Sequence, residues 1–320
     1  MRIKVIGTGS ALPAKIVTNE MLSRIVETDD AWISSRTGIR ERRIAGEETT
    51  TDLAVSAAKA ALEDAGCAPE EIDLILVATF TPEHCLPNTA CAVQAALGCR
   101  NAAAFDLNAA CSGFLFAMNT AQAYVEAGIY RTILLVGAEE VSKVLDWEDR
   151  STCVLFGDGA GAAVVQAREG EAMRFLQFSD GAQGQVLACM ERTAENPWHT
   201  AEKPPKTLTM DGQAVFRFAV RRVPECIRQL LAQAGKEPEE IDWFLLHQAN
   251  KRILDSVANR LGVEEGRFPM NLDRYGNTSA ASIPILLDEV RRKGILKEGD
   301  QVVLAGFGAG LTWGAALLTW

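Results

Sequence analysis

The chain repeats itself, and a repeat constrains the fold before any single residue does. Ala65-Gly-Cys-Ala-Pro-Glu-Glu-Ile-Asp73 and Ala234-Gly-Lys-Glu-Pro-Glu-Glu-Ile-Asp242 agree at seven of nine positions, 169 residues apart. Weaker echoes follow in the same order. Leu97-Gly98 matches Leu261-Gly262 (164 apart), Gly128-Ile129 matches Gly294-Ile295 (166), and Leu134-Leu-Val-Gly137 matches Val303-Leu-Ala-Gly306 (169). Near-constant separations in order imply duplication of a unit of about 165 residues, the size of one domain. The expected division is 1–168 and 169–320.

Each unit reads helix, strand, helix, strand, helix, strand. The spacing predicts a helix over about 50–65, capped near Thr49-Thr-Thr51 and Asp52, with Leu53, Ala57, Ala60 and Ala61 on one face and a stop at Gly66. The continuous apolar run Ile72–Val77 predicts a strand buried on both faces. A helix over 88–97, a strand over 102–107, an uncharged helix from about 111 and a strand over 132–137 complete the unit. Alternating β and α with buried strands argues layered α/β sheets, two fused halves sharing one core. The segment from about 170 to 210 has no echo in the first half and reads as loops over a site.

Composition narrows the function. The chain has 320 residues, 48% of them hydrophobic, and a formal charge of −10. That excludes disorder and the broad positive field of a nucleic-acid or anionic-membrane binder. Leu107–Val125 carries no charge but includes Asn108, Ser112, Asn119, Thr120 and Gln122, so a buried helix is expected rather than a membrane span. No targeting segment is evident at the N-terminus, and the eight cysteines show neither CxxC pairs nor zinc-finger spacing. Reduced thiols in a cytoplasmic protein, with no bound metal, are the expectation.

Three histidines exist. His84 and His199 lie in loop-like sequence. His247 ends the strand 241–246, and its repeat counterpart is Ala78, so packing does not require an imidazole there. Sites in α/β sheets form at strand C-termini. A separation of 166 pairs Cys111 with Asn277, each read as following a strand and opening a helix. Two helix N-termini meeting across the pseudo-twofold axis are expected to lower a thiol pKa and hold anions. Gly7-Thr-Gly9 lacks the third glycine of a dinucleotide site, and Gly157-Asp-Gly159-Ala-Gly161 lacks the lysine of a P-loop. Both read as tight turns.

With these residues in view the chain resembles, over essentially its whole length, the β-ketoacyl-acyl carrier protein synthase III family of the thiolase superfamily. The motifs that carry the resemblance are Trp32–Arg43, Ala109-Ala-Cys-Ser-Gly-Phe114, Gly157–Gly161, His247-Gln-Ala-Asn250, Tyr275–Ser282 and Gly306–Gly314. The resemblance implies a five-layered αβαβα fold, a homodimer, and Cys111, His247 and Asn277 as catalytic residues. Cys111 would take an acyl group from a primer acyl-coenzyme A, acetyl-coenzyme A above all. The oxyanion would sit on the backbone N–H groups of Cys111 and Ala309. Malonyl-acyl carrier protein would then lose carbon dioxide, its enolate held by His247 and Asn277, and attack the acyl group. Coenzyme A enters as a substrate, and no cofactor is implied.

Binding roles follow from the same resemblance. Trp32 and Arg150 match the pair that sandwiches adenine. Thr28, Arg36, Gly212, Phe216, Ala249 and Asn250 match positions along the pantetheine tunnel or its phosphates, and Phe307 would keep the malonyl carboxylate poorly solvated. Leu86 stands where a partner-subunit aromatic often closes the acyl pocket, which implies a softer wall. Independently, Arg217, Arg221 and Arg228 share one face of a helix over 213–233, and Lys251, Arg252 and Arg260 follow His247, a basic surface suited to an acidic carrier protein. The rival readings are a ketosynthase of specialised metabolism, a hydroxymethylglutaryl-coenzyme A synthase, a thiol hydrolase, or a non-catalytic acyl-binding module. The synthase would need a glutamate acid near the nucleophile, and none is obvious.

Overall fold

Two sheets and the helices around them make up the core. The structure, a computed structural model, describes residues 1–189, 197–198 and 206–320; His199 lies outside them. The first sheet contains β1 (Arg2–Ala11), β2 (Leu74–Ala78), β3 (Ala103–Leu107), β4 (Thr132–Glu139) and β5 (Gly159–Arg168), in the order β1-β5-β4-β2-β3. The second contains β6 (Arg174–Ser179), β7 (Trp243–Leu246), β8 (Gln301–Gly308) and β9 (Thr312–Thr319), in the order β7-β8-β9-β6. Strand β2 is parallel to both neighbours, and β7 is parallel to β8. Such strands need cover on both faces, which is why their sequences are apolar without alternation. Leu74 and Leu76 face a core shared by both sheets, while Ile75 and Val77 face an outer one.

The helices supply that cover. On the outer face of the first sheet lie α2 (Thr50–Ala65) and α3 (Thr89–Leu97); α4 (Gly113–Glu126) and α7 (Ser282–Arg292) lie between the sheets. Outside the second sheet pack α5 (Gly212–Ala234) and α6 (Lys251–Leu261), together with the shorter α1 (Asp30–Thr37). The result is the five-layered αβαβα arrangement. Helix α4 carries no charge before its last residue, the exposed Glu126, because it has a sheet on each side. Phe114, Leu115 and Met118 are fully or almost fully buried, each stabilising by roughly 1.5–3 kcal/mol relative to exposure. No helix among the described residues is long and apolar enough to cross a membrane.

The echoes in the sequence prove to be stop and alignment signals. Gly66 and Gly235, then Gly98 and Gly262, end helices in the left-handed conformation, and Gly128 and Gly294 follow helix ends in the same conformation. In the strongest echo, the N–H of Ala68 donates to Glu71 and that of Glu237 to Glu240, each at 2.7 Å. The next aspartates, Asp73 and Asp242, accept from the start of the neighbouring strand, at Arg131 and Thr132 and at Gln301. Helix α2 opens with the expected reciprocal cap between Thr49 and Asp52.

The segment expected as loops contains β6, which pairs with β9 in the second sheet, and four further expectations need correction. Gly7 and Gly9 lie within β1, where a Cβ would stand 2.5 Å and 2.3 Å from the carbonyl oxygens of Ala61 and Ala57; they let α2 lie on the strand rather than form a turn. Gly159 and Gly161 likewise belong to β5, with Gly161 against α7. The second half replaces the strand equivalent to β3 with a helical turn, Leu272–Tyr275, whose Arg274 and Tyr275 side chains bond to Glu289 of α7. The fourth concerns Cys111 and Asn277. Residues 110–112 and 279–281 each form a one-turn 3-10 segment, and Ala110 (φ 48°) and Ser279 (φ 52°) share a left-handed backbone. The separation is therefore 169 here too. Asn277 is the counterpart of Asn108 and Cys111 that of Ala280, because the turn geometry and not the nearest reactive residue defines the register.

Candidate active site

Cys111, His247 and Asn277 line one cavity of 170 Å³. Each arrives there on a different element. Cys111 sits in the turn before α4, and that turn is tied to the β8–β9 corner. Ser112 Oγ and Thr312 Oγ1 are 2.8 Å apart, and Thr312 Oγ1 lies 3.1 Å and 3.0 Å from the carbonyl oxygens of Ala109 and Ala309. The corner approaches so closely that a Cβ on Gly308 would fall 2.6 Å from the Cys111 nitrogen. Ala309 lines a second cavity, of 130 Å³, together with Cys111, Phe80, Phe156 and Leu208, so the two expected oxyanion donors border the same space.

His247 follows β7, and its N–H donates to Ala305 of β8 at 2.8 Å. The ring stands edge-on to Phe307, with centroids 5.3 Å apart. Its Nδ1 lies 2.6 Å from Ser282 Oγ, the first residue of α7. Gln248 N–H reaches the same oxygen, at 3.4 Å, an arrangement that suits a Ser282 hydroxyl donating to Nδ1 and a ring proton on Nε2. Burial pushes the imidazole down to about 3, so it is neutral. A neutral ring with Nε2–H is a donor toward the cavity and not a base for the resting thiol.

Asn277 is pinned by its backbone, which donates to Leu155 and accepts from Gly157. Its Oδ1 accepts from Ser279 N–H at 2.9 Å, leaving the amide nitrogen for the cavity the residue lines. Cys111 departs from expectation. Helix α4 begins two residues beyond it, and burial pushes the thiol up to about 12, with Ser279 opposing the rise and Glu139 adding to it. Cys111 is thus a protonated thiol in a cavity it shares with His247 and Asn277.

Most residues assigned to coenzyme A fall along the same opening. Gly212, Phe216, Ala249, Asn250 and Phe307 line the larger cavity, and Asn250 donates to the Arg36 carbonyl. Outside it, the guanidinium carbons of Arg36 and Arg150 stand 4.7 Å and 4.9 Å from the Trp32 ring centroid, and Arg150 donates to the Glu27 carbonyl beside Thr28. Thr28 Oγ1 is buried without a hydrogen-bond partner. Leu86 is 87% exposed and does not line either cavity of its own chain. His84 is exposed in the same loop.

The basic residues divide. Arg217 and Arg252 are exposed next to the opening, Arg252 lying over Phe216 at 5.4 Å. Arg221 pairs with Glu225 and Lys251 with Asp255, while Arg228 donates to the Arg260 carbonyl. Two residues near the site were missed. Ser282 lies inside a motif already noted, but its bond to His247 crosses 35 positions; Glu139 shows only as a charge ending an apolar strand. Among the described residues no metal-binding cluster occurs, and Cys67, Cys91, Cys99, Cys111, Cys153, Cys189 and Cys226 are free thiols.

The chain is similar to known proteins over its whole length. Profiles described as 3-oxoacyl-[acyl-carrier-protein] synthase III and its C-terminal part match residues 105–184 and 231–320. A beta-ketoacyl-[acyl-carrier-protein] synthase III of Clostridium acetobutylicum is 48% identical, covering 99% of this chain and 98% of its own. The crystal structure of the corresponding synthase of Aquifex aeolicus is 44% identical with a TM-score of 0.93, over 99% of this chain and 100% of its own. A priming beta-ketosynthase from the R1128 polyketide biosynthetic pathway is 38% identical with a TM-score of 0.93, over 99% and 96%. With near-complete coverage in both directions, the chain belongs to the 3-oxoacyl-[acyl-carrier-protein] synthase III family.

Proposed function

We propose that the chain joins an acyl-coenzyme A primer to malonyl-acyl carrier protein by decarboxylative condensation, the step that initiates fatty-acid synthesis. The observation that carries this reading is the convergence of Cys111, His247 and Asn277 on one cavity whose other wall holds Gly212, Phe216, Ala249 and Asn250. Cys111 attacks the primer thioester, its proton ends on the departing coenzyme A sulfur, and the acyl group stays on the thiol. Backbone N–H groups of Cys111 and Ala309 hold the oxyanion, where one donor is worth on the order of a hundredfold in rate. Malonyl carrier then loses carbon dioxide, and its enolate oxygen takes hydrogen bonds from His247 Nε2–H and the Asn277 amide. Neither donor readily quenches the carbanion, since the imidazole is neutral and an amide does not titrate.

Trp32, Arg36, Arg150 and Thr28 are read as the nucleotide end of the coenzyme A path, and acetyl-coenzyme A as the primer. No cofactor enters these steps. The halves 1–168 and 169–320 are read as the duplicated units, the first supplying the nucleophile and the second both donors. A homodimer is part of the proposal: β3 is a sheet edge and Leu86 projects from its own chain, a placement suited to closing a partner's acyl pocket. The test is to supply acetyl-coenzyme A with malonyl carrier, then each alone. Product 3-oxoacyl carrier formed only with both present, and accompanied by at least an equal amount of carbon dioxide, supports the reading. Continuous coenzyme A release, beyond one equivalent per chain and without carbon–carbon bond formation, marks a hydrolase and overturns it.

Two predictions follow from the geometry. Ser282→Ala frees the imidazole to hold its proton on Nδ1, and loss of one hydrogen bond worth about 1.4 kcal/mol lowers condensation about tenfold. Unchanged turnover would show that another contact sets the tautomer. Charge reversal at Arg217 or Arg252 raises the KM for malonyl carrier about tenfold at low salt and leaves transfer from acyl-coenzyme A unchanged, because rim charges act on encounter. The converse pattern would place carrier docking elsewhere.

A further inference from the structure

Glu139, the last residue of β4, is fully buried and no cation among the described residues pairs with it. Its carboxylate instead accepts from the hydroxyls of Thr79 (3.1 Å), Thr81 (2.5 Å) and Ser279 (3.0 Å), and from the N–H groups of Phe80 and Thr81. Burying a carboxylate costs several kcal/mol even when hydrogen-bonded, so such a group at a strand end needs a reason. The duplicated scaffold shows that folding is not the reason. The residue 169 positions on is Gly308, at the end of the equivalent strand β8. The counterpart of Ser279 is Ala110, which adopts the same left-handed turn (φ 48° against 52°) with no hydroxyl. The scaffold therefore builds both positions without either side chain, and the chain has added the two groups where they meet each other.

Where they meet is the wall behind the site. Ser279 N–H donates to Asn277 Oδ1 at 2.9 Å, which turns the amide nitrogen toward the cavity. Asn108, the counterpart of Asn277, makes the corresponding bond to Ala110 N–H at 3.1 Å but is exposed and lacks the carboxylate behind it. We propose that Glu139 and Ser279 are a positioning pair for the decarboxylation step: the carboxylate holds the Ser279 turn, and the turn holds the Asn277 carboxamide with its nitrogen toward the enolate oxygen. Neither residue touches substrate. The assignment rests on the condensation proposed above and adds two residues that act through Asn277.

The test uses Ser279→Ala and Glu139→Gln in the full chain, with malonyl-carrier decarboxylation and single-turnover acylation of Cys111 measured separately. Ser279→Ala keeps a residue that the other half tolerates in this turn, so folding is retained even where Glu139→Gln lowers stability. The pair predicts that Ser279→Ala lowers kcat for decarboxylation about tenfold, with KM for malonyl carrier changed by less than about threefold and acylation slowed less than decarboxylation. The double variant is expected to be no slower than the slower single variant, since both break one path. Wild-type decarboxylation in Ser279→Ala, equal loss in both half-reactions, or additive losses in the double variant would overturn the assignment. A wild-type chain that decarboxylates no malonyl carrier would instead overturn the proposed function, so the two failures are told apart.

Discussion

Cys111→Ala abolishes condensation, lowering it by on the order of a thousandfold or more, while malonyl-carrier decarboxylation continues. The two halves of this expectation come from different parts of the site. Condensation needs a sulfur to carry the primer, and among the described residues no other thiol lines the cavity that also holds His247 and Asn277. Cys189 borders only the smaller cavity, and burial pushes it up to about 11. Decarboxylation needs only a place for the enolate oxygen, and in the proposed mechanism that place is made by His247 and Asn277. The check is carbon dioxide release from malonyl carrier with and without primer. A variant that still forms 3-oxoacyl product would move the nucleophile elsewhere; one that stops releasing carbon dioxide would make the sulfur part of the enolate site.

His247→Ala and Asn277→Ala show the complementary split. Each removes one donor to a developing anion in a water-poor site, a loss worth roughly a hundred- to a thousandfold. Decarboxylation therefore falls by about that factor in either variant. Acylation of Cys111 falls less, because the oxyanion donors proposed for it, the backbone N–H groups of Cys111 and Ala309, are removed by neither substitution. The measurement is a paired one, single-turnover acylation from acetyl-coenzyme A against steady-state release of carbon dioxide. Equal loss in both half-reactions would contradict the division, and would point to His247 as the base that deprotonates the thiol despite the Ser282 contact at 2.6 Å.

Much of this was legible before any coordinates. The repeat at 169 positions exposed the doubled scaffold because helix-ending glycines and strand-aligning aspartates tolerate few substitutes. His247 stood out because its counterpart is alanine. What misled was choosing a separation that made Cys111 and Asn277 equivalent. The left-handed turns at Ala110 and Ser279 show the register to be 169 there as well, and a left-handed turn leaves little mark in sequence when the residue is not glycine. The expected lowering of the thiol pKa also failed, since it counted the helix end and omitted burial. The helical turn Leu272–Tyr275 was missed because its stability comes from contacts with Glu289, a residue of another element. Ser282 and Glu139 were invisible for the same reason: each acts across a distance in sequence that no local pattern records.

The account depends on the sulfur of residue 111 being the acyl carrier, and peptide mass spectrometry after incubation with acetyl-coenzyme A alone tests that directly. The prediction is one acetyl group on the peptide containing Cys111, discharged when malonyl carrier is added, with the acetyl carbons recovered in the 3-oxoacyl product. An unmodified Cys111, an acetyl group on a different residue, or an acetyl group that malonyl carrier leaves in place would contradict it.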